Sequence, residues 1–245
     1  MIVIGHLSDI HIDSGERSMQ RARRVTRYLA GLPVPVDVVL ATGDLADHGA
    51  AAEYEGVRDV LDIPVPVLVC PGNHDVREPF RKVLLGEPAS DAPINRAHRV
   101  AGAFFAMCDS SVPGADDGYL ADETLDWLDA ELTAAADLPA FVCFHHPPVV
   151  LGQPFIDRIR QSGAERLSDV VGRHPNVVAL LCGHAHTPAA STFAGRPLLV
   201  APGVASTLML PFEGDTLLDY DQPTLIAFHI LDDDRRLTTH YRVVR

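Results

Sequence analysis

Up to His186, short apolar runs alternate with amphipathic stretches. The opening run IVIGHLS reads as a strand, and SMQRARRVTRYLAGL as a helix stopped at Gly31 and Pro33. VDVVLATG repeats the strand pattern, GAAAEYEGVRDVLD the helical one, and VPVLVC the strand again. RVAGAFFAMCDS predicts one further strand. LADETLDWLDAELTAAA predicts a helix with Asp122 as N-cap and Leu125, Leu128 and Leu132 on one face. AFVCFHH and VVALLCGH read as strands around a helix near GAERLSDVVGRH. Beyond His186 the pattern becomes hairpin-like: ASTFAG, RPLLVAPG, TLIAFHIL and RLTTHYRVV. Alternating strands and helices imply strands buried on both faces, and the all-β tail implies a second sheet packed on the first. Without a linker, repeat or low-complexity tract, residues 1–245 are expected to form a single domain.

With 47% hydrophobic and 22% charged residues, the composition is that of an ordinary globular chain. No apolar run approaches the roughly 18 residues of a membrane span. The start, MIVIGHLSDIH, has neither a basic stretch nor a cleavage-like site, so no signal peptide is expected. Cys70, Cys108, Cys143 and Cys182 lie in or beside strand-like runs without CxxC spacing. They read as reduced core thiols of a cytoplasmic protein rather than metal ligands. A net charge of −13 disfavours coating a long polyanion, and no basic patch is evident. A small anionic substrate is compatible with that charge, because bound cations reverse the field locally.

Polar clusters follow five of the predicted strands. SDIH carries Asp9 and His11, TGDLADHG carries Asp44 and Asp47, and PGNHD carries Asn73, His74 and Asp75. His145-His146-Pro147-Pro148 follows the strand AFVCF, and CGHAH places His184 and His186 after the strand VVALL. Singly these are weak signals, since Asp-x-His can cap a loop and Gly-Asp can be a turn. Together they mark the carboxyl edge, where α/β sheets place their sites. Carboxylate, imidazole and one amide oxygen, without thiolate, suit Mn, Fe, Co or Zn. The donors suffice for two ions, with one carboxylate bridging.

The order D-x-H, G-D, G-N-H-[E/D], H, G-H-x-H resembles the signature of the calcineurin-like metallophosphoesterase superfamily, from Asp9 through the strands after His186. CDSSVPGADDGYLADETLDWLDAEL further resembles the branch containing class III cyclic-nucleotide phosphodiesterases and glycerophosphodiesterases. The resemblance implies an α/β fold, a four-layer α/β/β/α sandwich with mixed sheets. It implies two divalent or mixed-valence metal ions (Mn, Fe, Co or Zn): one held by Asp9, His11 and His186, the other by Asn73, His145 and His184, with Asp44 bridging. His74 would contact phosphate and act as general acid, and Asp47 would orient it. The His-x-Pro spacing to Pro147 selects His145 over His146, which reads as either substrate-facing or a solvated loop residue. Asp75 reads as a loop-fixing side chain, His48 as a solvated loop residue, and Trp127 as core. His6, His98, His174, His229 and His240 lie outside the motifs. LMLPFEGD, Leu208 to Asp215, is a candidate rim or partner-contact segment, or an ordinary loop.

The implied activity is hydrolysis of small phosphodiesters, cyclic nucleotides favoured, by a metal-bridged hydroxide with His74 protonating the leaving group. Glycerophosphodiesterase, phosphomonoesterase and nucleotide-sugar pyrophosphatase activities are alternatives on the same fold. From a different class, a non-catalytic metal-binding scaffold is the competing reading. The expected partner is a small phosphodiester, with neither a nucleic-acid polymer nor a membrane. One helix-like stretch between Pro148 and CGHAH leaves little room for a cap, so the site is open or covered by a second subunit, as in a homodimer.

Overall fold

The computed structural model describes residues 1–244. In chain order its elements are β1 (Ile2–Leu7), α1 (Glu16–Ala30), β2 (Val38–Thr42), α2 (Ala51–Leu61), β3 (Val67–Cys70) and α3 (Arg77–Phe80), the last running into a π-helical turn, Arg81–Leu85. There follow β4 (Arg96–Val100), β5 (Ala103–Met107), β6 (Gly118–Tyr119), α4 (Asp122–Ala134), β7 (Ala140–Cys143), α5 (Pro154–Arg158), β8 (Gln161–Ser162), α6 (Ala164–Arg173) and β9 (Val177–Cys182). The remainder is strand: β10 (Ala189–Phe193), β11 (Arg196–Val200), β12 (Thr207–Leu208), β13 (Leu218–Asp219), β14 (Leu225–Leu231) and β15 (Leu237–Val243).

Two mixed sheets result, ordered β15-β14-β1-β2-β3 and β10-β11-β9-β7-β5-β4. Strands β1-β2-β3 and β11-β9-β7-β5 run parallel; the antiparallel hairpin β14–β15 completes one edge of the first sheet, and antiparallel β10 and β4 both edges of the second. Strand periodicity sorts the side chains into three cores. On β2, Val39 and Ala41 pack against Val25 and Leu29 of α1 and Val57 of α2, whereas Val38 and Leu40 turn inward between the sheets. There they join Phe105 and Phe141, whose rings stack with centroids 5.2 Å apart. On the far side, Phe104, Val142 and Leu180 pack under Leu125, Leu128 and Leu132 of α4 and Leu167 of α6. The layers are therefore α/β/β/α.

Several local expectations are corrected. The tail supplies neither large sheet by itself: β10 and β11 extend one, β14 and β15 the other, and β12 and β13 form a separate two-stranded ribbon. RVAGAFFAMCDS is a hairpin, β4–β5, turned at Ala101 (φ 51°) and Gly102 (φ 81°). Asp122 is the first helical residue of α4, and Ala121 holds the N-cap position. Besides α6, the span after Pro148 contains the short helix α5. All four cysteines are buried free thiols, and Trp127 packs half-buried against the α4–α6 core. Among the described residues no helix is long and apolar enough to cross a membrane.

Candidate metal centre and active site

The carboxyl ends of β1, β2 and β3 meet those of β7 and β9, because the two sheets lie face to face. Thr42, the last residue of β2, accepts the His145 Nδ1–H on its carbonyl at 2.7 Å, and the His184 N–H donates to Asp9 Oδ2 at 3.0 Å. Asp9, His11, Asp44, His184 and His186 all adopt left-handed backbone conformations, with φ between 47° and 68°. Each costs on the order of 1–3 kcal/mol for a residue with a Cβ, and such strain persists only where the surroundings enforce it. Here the loops after β1 and β2 are laced together: the Asp9 N–H donates to Gly43 O, His11 to Asp44 O, Ile12 to Leu45 O, and Asp47 back to Ile12 O. Gly72 is required by proximity, since a Cβ there would collide with the Asp44 carboxylate.

Asp75 fixes these loops. Its buried carboxylate accepts the N–H groups of Leu45, Ala46 and Gly72 and the Tyr54 hydroxyl. Burial, then the Asp44 charge, pushes its pKa up to about 6 against those bonds.

The expected donors converge. His11 Nε2 lies 3.2 Å from His186 Nε2, which is 3.4 Å from Asp9 Oδ1. His145 Nε2 lies 3.3 Å from His184 Nδ1. Asp44 Oδ2 stands between the two groups, 3.6 Å from His11 Nε2 and 3.2 Å from His145 Nε2. The second ring nitrogens are already taken: His11 Nδ1 by Asp47 Oδ1 (2.8 Å), His186 Nδ1 by Ser206 Oγ (2.8 Å), and His145 Nδ1 by Thr42. Metal-binding imidazoles are oriented in this way. Asp9 Oδ1 and His184 Nε2 are buried without a hydrogen-bond partner. An orphaned carboxylate oxygen in such a cluster is costly unless a cation meets it, so these residues fit a pair of metal ions.

The electrostatics agree. Burial opposes ionisation of Asp44, but the His145 charge beside it holds the carboxyl well below its usual range. Burial likewise opposes the charged form of His145, yet Asp44 and Asp9 hold its pKa up at about 9. His184 is pushed down to about 3 by burial and then by the His145 charge. The cluster is thus a pocket of negative charge that demands positive charge from protons or metals.

His146 is fully buried, which removes the solvated-loop reading. Its Nε2 lies 3.1 Å from Asn73 Oδ1 and its Nδ1 2.8 Å from Ser110 Oγ. Ser110 Oγ already accepts the N–H groups of His145 and His146. Its one proton therefore goes to His146 Nδ1, which leaves the ring proton on Nε2, donated to Asn73. Ser110 is a residue that sequence reasoning missed, although it lies within the CDSS stretch. Thr42 and Ser206 were missed too: Thr42 opens TGDLADHG but acts through its main-chain carbonyl, and Ser206 has no motif to mark it. His48 is exposed and tied to Glu53 Oε1 at 2.8 Å.

His74 stands at the mouth, its ring edge-to-face on His11 with centroids 4.6 Å apart. Its main-chain N–H donates to Asp44 Oδ1, and its Nδ1 is fixed by the Asp47 main-chain carbonyl at 2.7 Å. The expected orienting contact from the Asp47 carboxylate is corrected: that group binds His11 and lies 3.8 Å from His74 Nδ1. A cleft of about 590 Å³ opens over His11, Asp44, Asn73, His74, His184 and His186. The expectation of no basic patch is also corrected, since Arg23, Arg24 and Arg27 line a separate hollow on α1.

A family model described as calcineurin-like phosphoesterase matches residues 2–188, which hold the entire donor set. The chain belongs to that family. It is 35% identical over 219 residues to a probable cyclic nucleotide phosphodiesterase of Rhodococcus erythropolis, covering 85% of this chain and 72% of the relative. It is 31% identical to the glycerophosphodiester phosphodiesterase GpdQ of Enterobacter lignolyticus, covering 90% and 83%. Among solved structures, a dimetal phosphatase from Danio rerio superposes with a TM-score of 0.76 at 16% identity, covering 100% of this phosphoesterase and 96% of that chain. At that identity the likeness concerns the fold.

Proposed function

We propose that this phosphoesterase hydrolyses small phosphodiesters, nucleoside cyclic phosphates foremost, with Asp9, His11 and His186 holding one metal ion, Asn73, His145 and His184 a second, and Asp44 shared. The observation that carries this reading is the Asp44 Oδ2 position between two imidazole groups, beside the unpartnered Asp9 Oδ1. Manganese, iron, cobalt or zinc bound there supplies charge neutralisation for the phosphate and a more acidic water.

The chain's own residues do the rest. The Asp47 carbonyl binds the His74 Nδ1–H, so Nε2 is the nitrogen that exchanges a proton with the leaving alkoxide. Asp75 and the laced loops hold His74 and Asn73 in register with Asp44. Five strained backbone positions argue against an idle scaffold, because strain without function is readily lost. The likeness to GpdQ supports glycerophosphodiesters as the second substrate class. The buried free thiols support a cytoplasmic setting, and the shared core between the sheets supports one domain.

A substrate panel on metal-quantified protein tests the reading. Expected substrates are 3′,5′- or 2′,3′-cyclic nucleotides, or glycerophosphodiesters, with bis-nitrophenyl phosphate cut faster than mononitrophenyl phosphate and duplex DNA uncut. His74→Ala should lower turnover of alcohol-releasing diesters by roughly 10²–10⁴-fold and of the nitrophenyl diester by less. Metal retained in full with no diester turned over would return the scaffold reading.

A further inference from the structure

The cleft contains an apolar set that the hydrolytic machinery leaves unused: Phe155, Ile159, Leu208, Leu217, Leu218 and Tyr220. Phe155 belongs to α5, and Leu208, Leu217 and Leu218 to β12–β13 and its approach, so the LMLPFEGD segment contributes Leu208 to the wall of the site. Phe155, Leu217 and Tyr220 are 42%, 39% and 50% exposed, large apolar side chains held open to water. This wall is fastened in place. Arg21 of α1 donates from Nη1 to the main-chain carbonyls of Tyr220 (3.3 Å) and Gln222 (3.0 Å) and from Nε to Val204 O. One turn earlier, the Arg17 guanidinium lies over the Tyr220 ring, 5.0 Å from its centroid. Arg17 is also the one Arg or Lys among the residues lining the cleft.

A glyceryl diester brings a small polar group to such a wall, whereas a nucleoside brings a flat π-face and apolar ring edges. Resting on the diesterase reading, we infer that Phe155, Leu217 and Tyr220 form a nucleobase-binding wall that selects nucleoside over glyceryl phosphodiesters. Arg17 and Arg21 are positioning residues that hold Tyr220 against the base.

Equilibrium dialysis of the full, metal-loaded chain with adenosine 5′-monophosphate and with ribose 5-phosphate isolates the base from the phosphate and sugar. The nucleotide should bind about tenfold or more tightly, the scale of one stacking contact. Phe155→Ala and Tyr220→Ala should each bring that ratio toward one, and Tyr220→Phe, which keeps the ring, should preserve it. Both side chains are exposed, so their truncation leaves the core packing intact. A ratio near one in the native chain, or failure to bind either compound, overturns the inference, as does a ratio unmoved in both alanine variants. Failure of the diesterase reading looks different: the nucleotide still outbinds ribose 5-phosphate while no diester is cleaved.

Discussion

His74 is held by the main-chain carbonyl of Asp47, 2.7 Å from Nδ1, while the carboxylate of the same residue binds His11 Nδ1 at 2.8 Å. One residue thus orients two histidines through different atoms, and a side-chain substitution separates them. Asp47→Ala should lower metal affinity about 10–100-fold, the usual effect of removing a partner behind a metal-binding imidazole. Raised metal should restore activity, and the preference between alcohol and nitrophenolate leaving groups should stay as in the native chain. Activity titrated against metal concentration checks this. Unchanged metal affinity with a selective loss for alcohol leaving groups would assign the carboxylate to His74 after all.

Metal removal should be visible in stability as well as turnover. The orphaned Asp9 Oδ1 gains a partner, and the buried Asp44 carboxylate further positive charge, when cations bind. Binding at about 100 times Kd contributes about 2.7 kcal/mol, or a Tm shift of roughly 5–10 °C for a chain of this size. Chelation should lower Tm by that order and abolish phosphodiesterase activity. Asp44→Asn should erase the metal-dependent shift, because one side chain faces both imidazole groups. Calorimetry with and without chelator decides, and activity undiminished in chelator would refute the dinuclear site.

The donor set was legible because each donor follows its strand directly, so the local pattern of an apolar run and then polar residues carries it. What pairs over long range was not. β14 joins β1 across nearly the whole chain, and nothing local in TLIAFHIL distinguishes that sheet from the other. The Ala101–Gly102 turn was hidden by apolar residues on both sides, which read as one strand. His146 is next to His145 in sequence, but its burial depends on Ser110 and Gly118, which other segments supply. The Asp47 carbonyl contact was invisible for a plainer reason: motif patterns report side chains, and this bond is made by the main chain.

A buried histidine pair away from the metal donors predicts acid sensitivity. His6 Nδ1 lies 3.0 Å from His229 Nε2, both rings are fully buried, and His229 Nδ1 meets Thr239 Oγ1 at 2.8 Å. Burial lowers both pKa values, that of His229 to about 3. A base depressed on folding gives stability that is complete above its unfolded pKa, near 6.5, and is lost as pH falls toward the folded value, because the unfolded chain takes up the proton first. Between about pH 6.5 and 5 this costs about 1–2 kcal/mol for His229. His229→Gln should flatten the fall by that amount in urea denaturation series. Subtracting the variant's slope cancels the metal-site residues, and identical slopes would show that His229 takes up its proton as readily in the folded chain as in the unfolded one.

The adjacent histidines should separate by metal stoichiometry. His145 Nδ1 donates to Thr42 O, so Nε2 is the nitrogen directed at the space shared by Asp44 Oδ2, His184 Nδ1 and, at 3.9 Å, Asp9 Oδ1, where a metal ion would replace its proton. His146 has its proton on Nε2, fixed there by the Ser110 hydroxyl, and it steadies Asn73 Oδ1. His145→Ala should therefore lose one of two ions outright and with it diester hydrolysis. His146→Ala should keep both ions, with affinity for the second lowered about 10–100-fold, as for other groups behind a ligand. Ser110→Ala should mimic His146→Ala in milder form, because it frees the tautomer without removing the ring. Elemental analysis of desalted variants, followed by titration with manganese, gives both quantities. An ion lost from His146→Ala and retained in His145→Ala would exchange the two roles and require the Ser110 proton to point elsewhere.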